Sequence, residues 1–175
     1  MTTQLPEETK KTVVTPALYN ALVASAQLRD IRLVKSQFYL EPDGLGDPQN
    51  WQHTHSCEIE TSHFDADKKL IWTWVTAEAA CLYEKKRVVS AECRYLIVYK
   101  VDGEPEDLEV AAFAKRVARF AAYPYFRAHF AQLASQAGLE LPPLPVIKEK
   151  RLLPKTEKPP GWDEAVKSLP KEKTA

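Results

Sequence analysis

The chain of 175 residues carries 24 Lys or Arg against 24 Asp or Glu, so its formal net charge is zero. At this size one domain has a real core and buries roughly two-thirds of its unfolded surface, while a neutral chain with an acidic first half offers phosphate little and disfavours nucleic acid as a partner of the folded body. No apolar run approaches the roughly 18 residues a bilayer crossing needs, and the start, Met1-Thr2-Thr3-Gln4-Leu5-Pro6-Glu7-Glu8, lacks the apolar core of a signal peptide; the expectation is a cytoplasmic protein with no membrane insertion.

Residues 1–14 are polar with little periodicity and are expected to form a mobile arm. Thr15-Pro16 is a helix start, and Leu18, Leu22, Ser25 and Ala26 give a short stripe through Leu28, which suits a helix that covers a groove, extends a subunit contact or, the favoured reading, caps the sheet. Four strands follow. Residues 31–40 form the first, ended by the breakers of Glu41-Pro42-Asp43-Gly44-Leu45-Gly46-Asp47-Pro48. Residues 53–63 form the second, with Gln52, Thr54, Ser56, Glu58 and Glu60 on its wet face. Residues 69–77, rich in β-branched and aromatic side chains, form the third, and 88–101 the fourth, with Asp65-Ala66-Asp67 and Glu84-Lys85-Lys86 as the turns. Short sequential connections favour antiparallel pairing.

Leu108, Ala111, Ala112, Lys115 and Ala118 recur at helical spacing over 107–120. Pro124 suits the first position of a further helix, so the two helical pieces are expected to meet at an angle near Tyr123. That helix runs for about 14 residues, roughly 21 Å, to Gly138, which suits the left-handed closing position. Phe126, Phe130, Leu133 and Ala137 mark one face; Ala128, Gln132 and Ser135 mark a flatter one suited to a neighbouring subunit. A proline-containing strap leads to Ile147. Residues 148–175 are expected to be a disordered, basic, proline-rich tail, leaving 15–147 as the folded domain.

Both faces of the expected sheet carry apolar residues. Leu70, Trp72 and Trp74 lie on one side of the third strand, and Tyr95, Ile97, Tyr99 and Val101 alternate with Leu96 and Val98 on the fourth. One layer of helices covers one face, so the surplus points to oligomerisation and ligand contact. Cys57, Cys81 and Cys93, odd in number and without a Cys-x-x-Cys pair, fit reduced thiols in a core. His53, His55 and Cys57 at i, i+2 and i+4 are the competing chemistry, a metal- or small-molecule-binding module, but same-face strand neighbours stand about 6.5–7 Å apart, awkward for one ion. No nucleophile elbow, phosphate loop or carboxylate pair suggests an enzyme.

Two blocks carry a family resemblance: Pro124-Tyr125-Phe126-Arg127 opening a helix that ends near a glycine and runs into Leu144-Pro145-Val146, and Trp51-Gln52 leading into the alternating strand His55-Ser56-Cys57-Glu58-Ile59-Glu60-Thr61. In this order and spacing the chain, over roughly 28–147, resembles SecB, the cytosolic protein-export chaperone. The resemblance implies an α+β fold, a four-stranded antiparallel sheet with C-terminal helices on one side, and a homotetramer built as a dimer of dimers. It implies an ATP-independent holdase with no cofactor or metal that grips unfolded polypeptide by apolar contacts. Implied client contacts are Phe38, Leu40, Trp51, Trp72, Trp74, Tyr95 and Tyr99, with 41–52 as a movable flap. Glu58 and Glu60 would meet the export motor SecA, and Tyr125, Ala128 and Gln132 a neighbouring subunit. The neutral charge, the added N-terminal helix and the basic tail with Gly161-Trp162 depart from that pattern and resemble the SecB-like chaperones that accompany toxin-antitoxin pairs and protect an antitoxin.

Overall fold

The computed structural model describes residues 14–42 and 46–148. Apart from their innermost residues, the expected arm (1–14) and tail (148–175) lie outside the described residues. Four strands, β1 (Gln27–Leu40), β2 (Gln52–Asp65), β3 (Leu70–Tyr83) and β4 (Lys86–Lys100), form one antiparallel sheet in the order β1-β4-β3-β2. The expected antiparallel sheet is present, and each strand is longer than its apolar run suggested: β1 starts at Gln27, and β3 continues through Glu78 and Ala79 to Tyr83. Pairing to β4 carries the polar residues of β3 along, so Glu78 stands opposite Glu92. The β3–β4 turn is a two-residue loop with Glu84 and Lys85 at φ 47° and 65°, the mirror-image turn whose twist matches the strands.

One face of the sheet is roofed. Ile71, Val75, Ala77 and Cys81 of β3 and Cys93, Tyr95, Ile97 and Tyr99 of β4 are buried beneath the helical layer. Helical turns run without interruption from Asp107 to Gln136, as α2 (Asp107–Phe113), a π-helical turn (Ala114–Ala118) and α3 (Arg119–Gln136). This corrects the expected break at Tyr123-Pro124, because Pro124 lies inside α3 and the irregularity sits at the π turn instead. A mid-helix proline leaves the carbonyl four residues earlier without its N–H and costs about 3 kcal/mol. Pro124 is exposed, which leaves that side of the helix open to water, and burial of Ala122, Tyr123, Phe126 and Phe130 on the other side offsets the cost.

Phe113 meets Tyr99 edge-on at 5.0 Å, and Phe126 stacks on Phe130 at 6.1 Å. Gly138 takes φ 73°, and the Leu139 amide donates to the Ala134 carbonyl at 2.9 Å, closing α3 as the sequence indicated. The strap then doubles back. Leu139, Leu141, Leu144 and Ile147 pack on the core, and the Tyr123 hydroxyl donates to the Pro145 carbonyl at 2.8 Å. The first helix, α1 (Pro16–Ser25), has the expected Thr15 cap, yet Leu22 is its one buried residue and its main partner is α2 rather than the sheet. Arg116 of the π turn lies over the Tyr19 ring at 5.4 Å. No helix among the described residues is long and apolar enough to cross a membrane.

Candidate polypeptide-binding surfaces

The seven aromatic and aliphatic residues singled out from the sequence fall on opposite faces of the sheet. Trp72 and Trp74 belong to the unroofed face with Leu70, Leu96 and Val98. Phe38, Leu40, Trp51, Tyr95 and Tyr99 join the roofed side. Tyr95 and Tyr99 are 2% and 5% exposed, so no partner reaches them without displacing the helical layer. Burial pushes both phenols above the usual tyrosine range. Trp51 is buried in the same core cluster, while Phe38 and Leu40 are only half covered.

Between these residues the sheet is thin. Ser36, Ser56, Ala79, Ala80, Ser90 and Ala91 bring small side chains to all four strands at one level, and around them opens a depression of about 690 Å³ lined also by Phe38, Tyr39, His55, Glu78, Arg87 and Glu92. Short side chains leave a hollow where large ones would fill it, and the half-buried ring of Phe38 gives it an apolar wall. Leu40 lies one residue pair further along, opposite Val89, near the flap. The described part of the flap is anchored by close packing: a Cβ at Gly46, which has φ 55°, would stand 2.6 Å from the Tyr83 ring.

The sequence did not single out the second apolar surface. Along the edge strand β1, Leu28, Leu33 and Val34 are 46%, 44% and 51% exposed. Register shifts at Leu28/Asp30 and Leu33/Lys35 break the alternation, so apolar side chains remain uncovered beyond the helices. The adjacent pair Leu33-Val34, which no strict period-two strand presents, was the available signal. A long apolar edge with unpaired backbone groups is a template for another strand. Tyr125, Ala128 and Gln132 lie together on the outward face of α3, exposed, with Tyr125 at 54%.

On the unroofed face Arg94 stacks over the Trp74 ring at 4.4 Å and pairs with Glu60 at 2.5 Å, and Thr76 also donates to Glu60. The Thr76 hydroxyl, with the Arg94 guanidinium beside it, holds the Glu60 carboxyl below the usual range. Glu58, the other residue expected to meet a partner, is exposed two residues away along β2. The His53/His55/Cys57 set does not converge: His53 Nδ1 lies 3.4 Å from Cys81 Sγ, His55 faces the Tyr123 ring at 6.0 Å, and the Cys57 thiol donates to the Arg119 carbonyl at 3.8 Å. No group of three or more metal-ligating side chains is assembled among the described residues.

Burial pushes the Cys57 thiol up to about 12 and the Cys81 thiol to about 11, with Arg119 partly opposing the shift at Cys57. A folded-state pKa above the unfolded value of about 8.5 means the thiols' contribution is complete below that pH and is lost as pH rises towards the folded values. The urea midpoint is therefore expected to fall between about pH 8.5 and 10 more steeply in the wild type than in a Cys57→Ala/Cys81→Ala variant. Equal slopes would contradict the assignment.

The sheet order and the helix-and-strap roof define a SecB-like α+β architecture. No family model matches the sequence, and no curated protein does. Among solved structures, the fold is similar to that of the Mycobacterium tuberculosis SecB-like chaperone Rv1957, solved in complex with a ChAD peptide from the Rv1956 HigA1 antitoxin, at TM-score 0.64 and 22% identity over 76% of this chain and 98% of that one. A protein of unknown function from Streptococcus agalactiae aligns at TM-score 0.28 and 10% identity, over 71% of this chain and 97% of that one, and carries no argument.

Proposed function

We propose that the protein is an ATP-independent holdase chaperone that keeps unfolded or nascent polypeptide from aggregating. The observation that carries the reading is the apolar surface its own helices leave uncovered: Phe38 and Leu40 at and beside the depression, and Trp72, Trp74 and Leu96 on the unroofed face, are all only half buried. Each side chain newly buried there contributes about 1.5–3 kcal/mol, so a few weak contacts along an extended chain hold it without a sequence motif. Phe38 and Leu40 contact the client, Trp51 backs them, and Trp72 and Trp74 serve a second stretch of chain on the other face. Tyr95 and Tyr99 support the site from beneath. No bound cofactor or bond chemistry is required.

The working form is a homotetramer, a dimer of dimers, in which β1 pairs with the β1 of a second copy and the Tyr125, Ala128 and Gln132 face of α3 joins two such dimers. Three free, buried thiols suit a reducing cytoplasm. Similarity to a structure that holds an antitoxin peptide favours an antitoxin-type client over preproteins passed to SecA. Glu58 remains the available acidic contact for any basic partner, since Glu60 is engaged by Arg94.

Dilution of a chemically unfolded model substrate into equimolar protein, without metal or nucleotide, tests the reading. Aggregation is expected to be suppressed, and Phe38→Asp is expected to weaken the effect by about tenfold or more, from one lost apolar contact. Absence of suppression by the wild-type protein would overturn the proposal.

A further inference from the structure

The unroofed face of the sheet has no covering element among the described residues, and its chemistry is two-part. Its centre is apolar, with Trp72, Trp74 and Leu96 half-exposed. Its β2–β3–β4 flank is acidic: Glu78 stands directly opposite Glu92, and Glu58 stands opposite Thr76, two pairs along on the same face. Like charges placed opposite each other across strands are destabilising. Lys35 pairs with Glu92 at 2.9 Å, and no ion pair is formed by Glu58 or Glu78 with a described residue. A cationic segment with apolar residues would relieve both the repulsion and the exposed rings.

We infer that this chain's own segment 150–162 docks on the unroofed face across the β2 edge. The segment holds Lys150, Arg151, Lys155 and Lys158 against a single acidic residue, Glu157, and interleaves them with Leu152, Leu153 and Trp162. It also begins in the right place. The strap reaches Tyr123, whose ring lies 6.0 Å from His55 of β2, through the Pro145 carbonyl three residues before Lys148. Strands are spaced about 4.8 Å apart, and thirteen residues span up to about 40 Å extended, ample to round one edge strand and reach Trp74. Docking places the basic residues near Glu58, Glu78 and Glu92 and leaves Leu152, Leu153 or Trp162 for the tryptophans. It does not depend on the chaperone reading; where that reading holds, the segment is a self-cover that a client must displace from Trp72 and Trp74.

Zero-length carbodiimide cross-linking of the full chain, analysed by mass spectrometry on an equal mixture of isotope-labelled and unlabelled protein, tests this directly. Cross-links from Lys150, Lys155 or Lys158 to Glu58, Glu78 or Glu92 within one isotopic chain are expected at low salt. Their yield should fall about tenfold at 1 M salt, where the screening length is about 3 Å. An R151E variant, which keeps every cross-linking amine while reversing one charge of the segment, should lower their yield by about twofold to fivefold. As a check on the face itself, E58K/E78K should reduce the remaining cross-links to Glu92 severalfold, with a melting temperature at or above the wild-type value because the Glu78–Glu92 repulsion is gone. Cross-links only between labelled and unlabelled chains, cross-links to other elements, or none at all would overturn the inference.

Discussion

Phe126→Ala is expected to destabilise the protein by about 3–5 kcal/mol, lowering the melting temperature by about 6–20 °C for a chain of this size. Phe126 is fully buried, lies 6.2 Å from Tyr123 and 6.1 Å from Phe130, and sits midway along the helix that roofs the sheet. Truncation removes the ring from a site where the sheet below cannot collapse upward and the strap above is pinned through Tyr123. Domains are stable by only about 5–15 kcal/mol, so the variant approaches the threshold of unfolding at growth temperature. Phe126→Leu, which keeps most of the volume, should cost about 1–2 kcal/mol. A calorimetric melt of the two variants checks the contrast; an equal, small effect would mean that α3 is not the roof of the core.

The second large effect concerns assembly. If subunits pair through β1 as proposed, the wild-type protein is expected to scatter as an oligomer, and Leu28→Lys combined with Leu33→Lys to reduce it to a species near the 19.8 kDa chain mass at micromolar concentration. In a two-fold β1–β1 contact each leucine appears twice, and because each is already about half covered, four such burials at about 0.7–1.5 kcal/mol each amount to about 3–6 kcal/mol. A micromolar dimer is held by about 8 kcal/mol, so their loss removes association from the measurable range before the cost of burying lysine is added. Both leucines are about half exposed in the subunit, so its melting should change less than its association. A wild-type protein that is itself monomeric, or a variant that stays oligomeric, would remove β1 as the assembly edge.

Much of the fold was legible because alternation and turn chemistry acted in the same direction. Tyr95, Ile97 and Tyr99 separate cleanly from Leu96 and Val98, and Glu84-Lys85 occupies the turn its position suggested. The helix boundary was misread because two local signals for proline compete: Pro124 at a first helical turn costs nothing, and only the tertiary burial of Tyr123 and Phe126 on the far side makes its interior position tolerable. The candidate site was half legible. Trp72 and Trp74 stand out by type, but which face the helices would roof is decided by packing between elements far apart in sequence. The β1 strip escaped because bulges shift its register, and the depression escaped because alanines and serines announce nothing until four strands bring them to one level.

Hydrogen exchange on the protein with and without a bound, permanently unfolded model chain is the most direct measurement. If uncovered apolar surface grips the client, amides in residues 36–40, 51–55 and 79–81 should slow on binding, while those of the α2–α3 roof stay unchanged. Binding that leaves those segments unaltered, or slows only the outer turns of the helices, would contradict it.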